Sequence, residues 1–157
     1  MQIVRAKAEN ADELTRITFA AKRYWGYPEQ WIQSWTEVLT IRLEFIDASQ
    51  TYVATSAGRI FGFYALTDAG NRARLEHLWI LPEAMGQGLG RKLFAHAVER
   101  VRDLGYSTFE IESDPNAEGF YRRMGARRVA TKSAEINGTA RELPVLRYEI
   151  GCALNNE

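Results

Sequence analysis

Apolar residues recur along this chain with two different periods, and these periods predict where helices and strands lie. The clearest helical segment begins after Gly88 and stops before Gly105, because a glycine commonly terminates a helix. Its apolar residues are three or four positions apart, which places them on one helical face: Leu89, Leu93, Ala97, Val101 and Leu104. This helix is predicted to pack that face against a core.

Two further helices are predicted near the N-terminus. Asn10 and Glu13 have the spacing of a capping box. The first helix carries a stripe made of Leu14, Ile17, Thr18 and Ala21. Pro28 suits the first position of a second helix that extends to Thr40. The predicted buried face of this second helix consists of Trp31, Ile32, Trp35, Val38 and Leu39. Residues 41–49 fit neither period and receive no assignment.

Alternating and β-branched stretches predict strands in the rest of the chain. They span residues 2–6, 51–56, 59–66, 72–81, 107–112, 127–135 and 141–150. Turns are expected at residues 57–58, 68–71 and 137–138. Asp114 can cap a short helix that starts at Pro115 and ends at Met124. This order of elements predicts one α/β domain, residues 1–157, with a mixed, mostly antiparallel sheet.

The composition is that of a globular domain without net charge. Twenty lysines and arginines balance twenty aspartates and glutamates, so no general attraction to nucleic acid or acidic membranes is expected. The only cysteine, Cys152, excludes an internal disulfide and a cysteine-based zinc site, and no metal is expected. Neither a long apolar run nor a signal-peptide pattern is present, which predicts a soluble cytoplasmic protein.

The most informative segment leads from an apolar strand through Pro82 into a turn with three glycines. These are Gly86, Gly88 and Gly90. They let backbone N–H groups converge on an anion, and the following helix adds the partial positive charge of its N-terminus. A P-loop is excluded because Arg91 stands where its second glycine belongs. A dinucleotide-binding turn is excluded because the third glycine comes one residue too early.

The turn resembles the acyl-CoA loop of the Gcn5-related N-acetyltransferases, the GNAT family. That loop reads Gln/Arg-x-x-Gly-x-Gly/Ala, and Gly88 and Gly90 fill its glycine positions. Met85 replaces the Gln/Arg residue. Because the loop holds phosphates mainly through backbone N–H groups, Met85 supplies the same donor.

A second segment, residues 114–125, resembles the family pattern Asn-x-x-Ala-x-x-(Leu/Phe)-Tyr-x-x-x-Gly. The matching residues are Ala117, Phe120, Tyr121 and Gly125. Asp114 occupies the position where asparagine is usual. Asn116 is a candidate to replace the contact of that asparagine with the pantetheine arm.

The resemblance implies a GNAT-like sheet of six to seven strands flanked by about four helices. It implies acetyl-CoA as cosubstrate and direct transfer of the acetyl group to a primary amine, without a covalent enzyme intermediate. The residues assigned to acetyl-CoA are Leu78 and Ile80 through their main chains, Met85, Gly86, Gln87, Gly88, Leu89, Gly90 and Arg91 at the pyrophosphate, and Asn116, Phe120 and Tyr121. A basic cluster is either a partner for the adenosine 3′-phosphate or scattered surface charge: Arg122, Arg123, Arg127, Arg128 and Lys132.

Two residues are candidates for proton transfer. Tyr121 matches the family tyrosine near the thioester sulfur, which implies a general acid; the alternative is a packing tyrosine of a short amphipathic helix. Strand alternation puts Glu76 on the face of Leu78 and Ile80, so Glu76 is a candidate general base. The alternative is a strand glutamate paired with Arg72 or Arg74. Rival bases are Glu110, Glu112 and His77, although His77 is predicted to face the other way.

Aromatic residues are dense between the first two predicted helices, where the resemblance places the acceptor wall. Tyr24, Trp25 and Tyr27 are candidates to contact the acceptor, and Trp25 is equally a candidate to cover the acyl chain. Arg141, in a turn near the C-terminus, is a candidate partner for an acceptor carboxylate; a solvated loop arginine is the alternative.

The expected partner is a small-molecule or peptide amine acceptor, and neither nucleic acid nor a membrane. An amino acid, a simple amine, an antibiotic and a protein N-terminus all remain open as acceptors. The edges of the last strands are compatible with a homodimer. The competing functions are a non-catalytic acyl-CoA sensor and a partner-binding domain that keeps only the fold.

Overall fold

The computed structural model describes residues 1–151, and Cys152 lies outside them. In chain order the elements are β1 (Gln2–Arg5), α1 (Ala11–Tyr24), α2 (Glu29–Ser34), α3 (Thr36–Leu39), α4 (Leu43–Ala48), β2 (Gln50–Ser56), β3 (Arg59–Asp68), β4 (Ala73–Ile80), α5 (Leu89–Asp103), β5 (Thr108–Glu112), α6 (Glu118–Arg123), β6 (Arg127–Ile136) and β7 (Thr139–Glu149). Short 3-10 turns occur at Ala8–Asn10, Pro82–Ala84 and Pro115–Ala117. All seven strands form one sheet. The mixed α/β architecture expected from the sequence is confirmed.

The sheet is open at its centre. Its strand order is β1-β2-β3-β4-β5-β7-β6, and every neighbouring pair is antiparallel except β4 and β5. These two parallel strands pair only at Ala73 with Phe109 and at Arg74 with Glu110. Because both strands continue in the same direction without further pairing, the residues that follow face a gap between the strands.

Helices cover both faces of the sheet. On one face α5 packs in a core that includes Tyr64, Leu75, Leu93, Ala97, Val101 and Phe109. On the other face α1 and α4 pack in a core that includes Leu14, Ile17, Ile46, Val53 and Phe63. Phe63 and Tyr64 are consecutive in β3, so the alternation of a strand sends them into opposite cores. The two cores therefore pack against the central strands from opposite faces.

The structure corrects the predicted helix boundaries near the N-terminus. Asn10 does not cap α1, because its side chain instead accepts a hydrogen bond from the Lys7 N–H at 2.8 Å. The predicted second helix is two helices, α2 and α3, because the backbone of Trp35 leaves the α-helical region with φ −90° and ψ 6°. Residues 41–49, which received no assignment, contain α4.

The predicted aromatic core of that region is also corrected. Trp31 and Trp35 are only half-buried and belong to neither core, and Val38 is 65% exposed. Ile32 and Leu39 are the buried members of the stripe. The break at Trp35 turns the two tryptophans away from both cores, and their rings contact cations as well as each other.

A bulge interrupts the alternation of β4 at Glu76. Ala65 of β3 pairs with His77 and Leu66 pairs with Leu75, so Glu76 has no partner residue in β3. The extra residue shifts the side chains that follow. As a result Leu75 contributes to the same core against which Leu78 and Ile80 pack, and the prediction from strict alternation that Glu76 shares their face is wrong.

Two expectations from the sequence concern a homodimer and contact with a membrane. β6 forms one edge of the sheet. A homodimer through the last strands stays a prediction. Within residues 1–151 no helix is long and apolar enough to cross a membrane.

Candidate functional site

Two cavities meet at the gap between β4 and β5. The first, with a volume of about 610 Å³, lies between β4, the glycine turn and α6, and we call it the glycine-loop cavity. The second, of about 710 Å³, lies between β4, α3, α4 and the start of β7, and we call it the helix-side cavity. The residues that line both are Leu75, Glu76, Glu112, Ser113 and Asp114. Groups bound on opposite sides of the sheet can therefore come together at the gap.

The turn before α5 has the geometry of an anion site. Gly86 and Gly88 have φ angles of 78° and 83°, which residues with a Cβ rarely adopt. Gly90 packs against Phe120, since a Cβ at this glycine would lie 3.2 Å from the ring. The first turn of α5 carries no acidic residue. An anion at this turn would meet unpaired backbone N–H groups and the positive end of the helix dipole.

Most residues predicted to bind acetyl-CoA line the glycine-loop cavity: Leu78, Ile80, Met85, Gly86, Gly88, Gly90, Arg91, Asn116, Phe120 and Tyr121. Two do not. Leu89 is 6% exposed and belongs to the core, so only its backbone is available. The exposed Gln87 side chain donates to the Glu83 carbonyl at 3.4 Å. Of the basic cluster, Arg123 lines the cavity, while Arg122 and Arg128 pair with Glu118.

Tyr121 lies inside the glycine-loop cavity on α6. Its side chain is 7% exposed and its ring packs against Phe94 and Phe120, with centroid distances of 6.1 and 5.2 Å. Burial, reinforced by the nearby Asp114 carboxylate, raises the pKa of Tyr121 above its ordinary value. The phenol stays protonated at neutral pH and can donate a proton within the cavity.

Two rival bases are unsuited by their surroundings. The ring of His77 lies near Phe45 and Phe63, and its Nδ1 accepts a hydrogen bond from Trp79 Nε1 at 2.9 Å. Burial lowers the pKa of His77 to about 4. The Glu110 carboxylate is bound by Arg72 and Arg147; these contacts outweigh the effect of burial and lower its pKa. His77 and Glu110 are therefore less suitable as a general base than the carboxylates at the gap.

Glu76 and Glu112 both lie at the gap, since each lines both cavities. Glu112 is paired with Lys132 at 3.1 Å. Glu76, at the bulge, is exposed and receives only a long hydrogen bond of 3.5 Å from the Thr67 hydroxyl. The predicted alternative, a pair with Arg72 or Arg74, does not form within residues 1–151. Glu76 is thus the carboxylate at the gap without a cation beside it in the described part of the chain.

Asp114 binds together three elements that are distant in sequence. Its carboxylate accepts hydrogen bonds from Lys22 Nζ at 2.7 Å and from the Tyr27 hydroxyl at 2.9 and 3.0 Å. Arg141 and Asn116 donate to that hydroxyl at 2.8 and 3.0 Å. The predicted cap is also confirmed, because Asp114 accepts from the Asn116 N–H at 2.8 Å. The end of α1, the loop before α2 and the start of β7 are joined at this point.

An aromatic platform surrounds this network. Tyr27 stacks on Trp31 and meets Trp35 edge-on, with centroids 5.8 and 5.0 Å apart. The Arg141 guanidinium lies 5.1 to 5.8 Å from the centres of all three rings. Lys22 Nζ lies 4.2 Å from the centre of the Trp35 ring. Such cation–π contacts favour a fixed position of both cations.

Burial and pairing compete within the network. Burial raises the pKa of Tyr27 to about 12, with a further contribution from Asp114. Burial also lowers the pKa of Lys22, although the Asp114 charge opposes this effect. The pKa of Asp114 falls below its usual range, because the attraction of Lys22 outweighs the effect of burial. Each charge of the pair thus favours the ionised form of the other.

The three loop aromatics predicted to meet the acceptor lie in different places. Tyr24 is 59% exposed and lines neither cavity, Trp25 lines the glycine-loop cavity, and Tyr27 belongs to the network with Asp114. Sequence reasoning missed Lys22. The sequence does contain an indication of its role, because Lys22 directly follows Ala21 in the buried stripe of α1. A lysine that is buried in this way needs an anionic partner. Among residues 1–151, no group of three or more His, Cys, Asp or Glu side chains is arranged to hold a metal ion.

Comparison with known proteins identifies the fold family. A family model described as an acetyltransferase (GNAT) domain matches residues 6–140. Streptothricin acetyltransferase of Streptomyces lavendulae is 35% identical over 100 residues, which make up 60% of this chain and 53% of that protein. Peptidyl-lysine N-acetyltransferase YjaB of Salmonella typhimurium is 30% identical over 104 residues, 66% of each chain. The crystal structure of PaiA N-acetyltransferase from Thermoplasma acidophilum, in complex with coenzyme A, has a TM-score of 0.80 at 19% identity and covers 94% of this chain and 98% of its own.

The matched regions amount to between 41% and 66% of the length of the curated relatives. The family model, in contrast, spans most of this chain and includes the glycine turn, Tyr121 and the strands on both sides of the gap. The chain belongs to the GNAT family of acetyltransferases.

Proposed function

We propose that this protein is an acetyl-CoA-dependent N-acetyltransferase that acts on a primary amine. The observation that carries the proposal is the gap between β4 and β5, at which the two cavities meet. A donor in the glycine-loop cavity and an acceptor in the helix-side cavity would approach each other there from opposite faces of the sheet. Direct transfer then needs no covalent enzyme intermediate. The names of the relatives support the class, since one is a small-molecule acetyltransferase and the other a peptidyl-lysine acetyltransferase.

Acetyl-CoA supplies the acetyl group as a thioester, and residues of the glycine-loop cavity would hold it. The backbone N–H groups from Gly86 to Arg91 would receive the pyrophosphate, supported by the α5 dipole. The Met85 N–H, expected to be a further donor, already donates to the Pro82 carbonyl at 3.2 Å. The main chains of Leu78 and Ile80 border the gap and would bind the pantetheine amides. Arg91 and Arg123 line the same cavity and add positive charge for the phosphates. Gln87 and Leu89 would contribute through backbone groups alone.

Glu76 is the proposed general base. An amine arrives largely protonated at neutral pH and must lose a proton before it can attack a thioester. Glu76 lies at the gap, is exposed, and forms no ion pair within residues 1–151. It can take the proton directly or through a water molecule. Glu112, held by Lys132, is the second candidate.

Tyr121 is the proposed general acid. Its raised pKa keeps the hydroxyl protonated at neutral pH, so that it can donate a hydrogen bond, and as the C–S bond breaks a proton, to the departing thiolate. A phenylalanine would fill the same space and keep the aromatic contacts with Phe94 and Phe120. Tyr121→Phe therefore removes the proton donor with little change in packing.

The proposal is tested in two steps, binding and then turnover. Acetyl-CoA at about 100 times its dissociation constant should stabilise the fold by about 2.7 kcal/mol, which for a chain of this size raises the melting temperature by about 5–10 °C. Free thiol should then be released only when an amine is added, with amino acids, simple amines and lysine peptides as probes. Tyr121→Phe should lower the turnover rate by about 10²-fold or more at an unchanged thermal shift.

Other outcomes separate the competing functions. A thermal shift without thiol release from any acceptor would point to a non-catalytic acyl-CoA sensor. The absence of both would leave a domain that keeps only the fold. A normal turnover rate in Tyr121→Phe would remove the tyrosine from the mechanism but not the activity.

A further inference from the structure

The Arg141 guanidinium lies in the helix-side cavity without an anion beside it. Its hydrogen bond within residues 1–151 is to the Tyr27 hydroxyl, at 2.8 Å, and it forms no ion pair there. The Tyr27 oxygen is neutral, so most guanidinium donors remain available for a ligand. Asp114, the nearest acidic group of the network, is already paired with Lys22 at 2.7 Å. The positive charge of Arg141 is therefore uncompensated in the described part of the chain.

The aromatic platform holds this guanidinium in a defined place. Tyr27, Trp31 and Trp35 each lie within 5.8 Å of its central carbon. A planar guanidinium fixed on aromatic rings presents two parallel N–H groups, which match the two oxygens of a carboxylate. A freely moving arginine would lose conformational entropy on binding, whereas most of that freedom is already lost here. This is the arrangement of a preorganised carboxylate site.

The other charges of the cavity agree with such a ligand. Arg42 and Arg74 also line it and form no ion pair within residues 1–151. Its acidic residues are of three kinds: Glu112 and Asp114 are paired, Glu37 and Glu44 are exposed on α3 and α4, and Glu76 lies at the gap. The cavity is thus lined by Arg141 as a cation without an ion pair and by Glu76 as a carboxylate at the gap without an ion pair, both within residues 1–151.

We infer that the acceptor carries a carboxylate as well as its amine, and that Arg141 binds the carboxylate while Glu76 receives the ammonium. This inference rests on the proposed transferase function and adds the class of substrate. The volume of about 710 Å³ suits a free amino acid or a short peptide with a free C-terminus. An acceptor without an anionic group would leave Arg141 without a partner. Arg141 is in this view a specificity-determining residue and takes no part in proton transfer.

The test compares matched acceptors that differ only in the carboxylate. The probes are the L-amino acids with free carboxylates, their C-terminal amides and the corresponding decarboxylated amines, assayed by thiol release at saturating acetyl-CoA. The carboxylates should be preferred by about 10- to 100-fold in kcat/KM. Arg141→Gln should abolish this preference by raising KM for the carboxylates with little change in kcat. Arg141→Lys, which keeps the charge but loses the planar fork, should restore only part of it.

Binding of the product provides a readout that needs no turnover. N-acetyl amino acids and their amides are titrated calorimetrically into the protein with bound coenzyme A. The acids should bind more tightly than the amides in the wild type, and equally in Arg141→Gln. Arg102→Gln, an exposed arginine paired with Glu99 on the far side of α5, serves as the matched control. The thermal shift with acetyl-CoA confirms that each variant is folded.

The outcomes distinguish this inference from the proposed function. Preferential binding of acids without any thiol release would support the carboxylate site and reject the transferase. Thiol release with amides and amines as good as with acids would support the transferase and overturn the carboxylate site. An equal loss for all acceptors in Arg141→Gln would assign Arg141 to the packing of β7, and binding of none of the acids would also overturn the inference.

Discussion

Removal of the charge of Asp114 tests the central network most directly. Asp114 and Lys22 are buried together, with side chains 10% and 11% exposed. Asp114→Asn has the same shape and keeps the acceptor oxygen for the Asn116 N–H, but leaves the Lys22 ammonium buried without a counter-charge. The loss of one partner of a buried pair costs about 3–5 kcal/mol, whereas an exposed pair is worth less than about 1 kcal/mol. We expect the cost of Asp114→Asn at pH 7 to lie near 3 kcal/mol.

The pH dependence of this cost provides a second, independent signature. Burial already lowers the pKa of Lys22 from 10.5, and the Asp114 charge opposes that decrease. In Asp114→Asn the pKa of folded Lys22 falls further, while the unfolded chain keeps its ordinary value. Between these two values the unfolded state binds one proton more, so stability rises with pH by up to about 1.4 kcal/mol per unit. The variant should regain stability as the pH rises toward 10, over a wider range than the wild type.

The assay is urea unfolding followed by circular dichroism at several pH values, on four proteins: wild type, Asp114→Asn, Lys22→Met and the double variant. The double variant should be more stable than Asp114→Asn, because the unpaired buried charge is gone. At about 2–4 °C per kcal/mol for a chain of this size, the single variant should melt about 6–12 °C below the wild type. A loss under about 0.5 kcal/mol with no dependence on pH would refute the reasoning, since it would mean that Lys22 reaches water.

Three further predictions concern the gap, the sheet and the glycine turn. Glu76→Gln should lower the turnover rate at neutral pH by about 10²- to 10⁴-fold and remove the acidic limb of the pH–rate profile. Glu112→Gln should keep that limb. The reverse result would make Glu112 the base. Gly62→Ala should lower the free energy of unfolding in urea by about 1–3 kcal/mol, because its Cβ would lie 2.9 Å from the Trp79 carbonyl oxygen. In the control Gly119→Ala the nearest neighbour is the mobile end of Arg123 at 3.4 Å, so the loss should be smaller. Equal losses in both variants would contradict the close packing at Gly62. Gly88→Ala should weaken acetyl-CoA binding, measured by calorimetry, about tenfold. The control Gly105→Ala also replaces a glycine of positive φ (91°), but beyond the other end of α5, and should leave the affinity unchanged. A similar loss of affinity in both variants would indicate general strain.

Local patterns along the chain are sufficient to predict those elements in which apolar residues recur with a single period. The stripe from Leu89 to Val101 predicted α5 because an amphipathic helix needs only local spacing, and the glycine turn was recognisable for the same reason. The break at Trp35 was not predictable in this way. A helical period continues through residues 28–40, and only tertiary contacts with Tyr27 and Lys22 show why Trp31 and Trp35 are not core residues.

Features that depend on residues distant in sequence could not be predicted from local patterns. The bulge at Glu76 is defined by the register of β3, so no alternation within β4 reveals it. The network at Asp114 joins Lys22, Tyr27 and Arg141, and its hydrogen-bonded residues are separated by up to 114 positions in sequence. Asp114 was noticed as a helix cap and as a departure from a motif. Its place at the centre of this hydrogen-bond network is visible only in the fold.

The early separation of β4 and β5 also has a consequence for inhibition. A molecule threaded through the gap would occupy both cavities at once, with one part on the glycine turn and the other on the aromatic platform. The second contact would then be intramolecular and would benefit from a high effective concentration, so two weak fragments joined by a short linker should bind far more tightly than either alone. The linker would have to pass the walls common to both cavities, among them Glu76 and Glu112, and its length and polarity are therefore set by the protein.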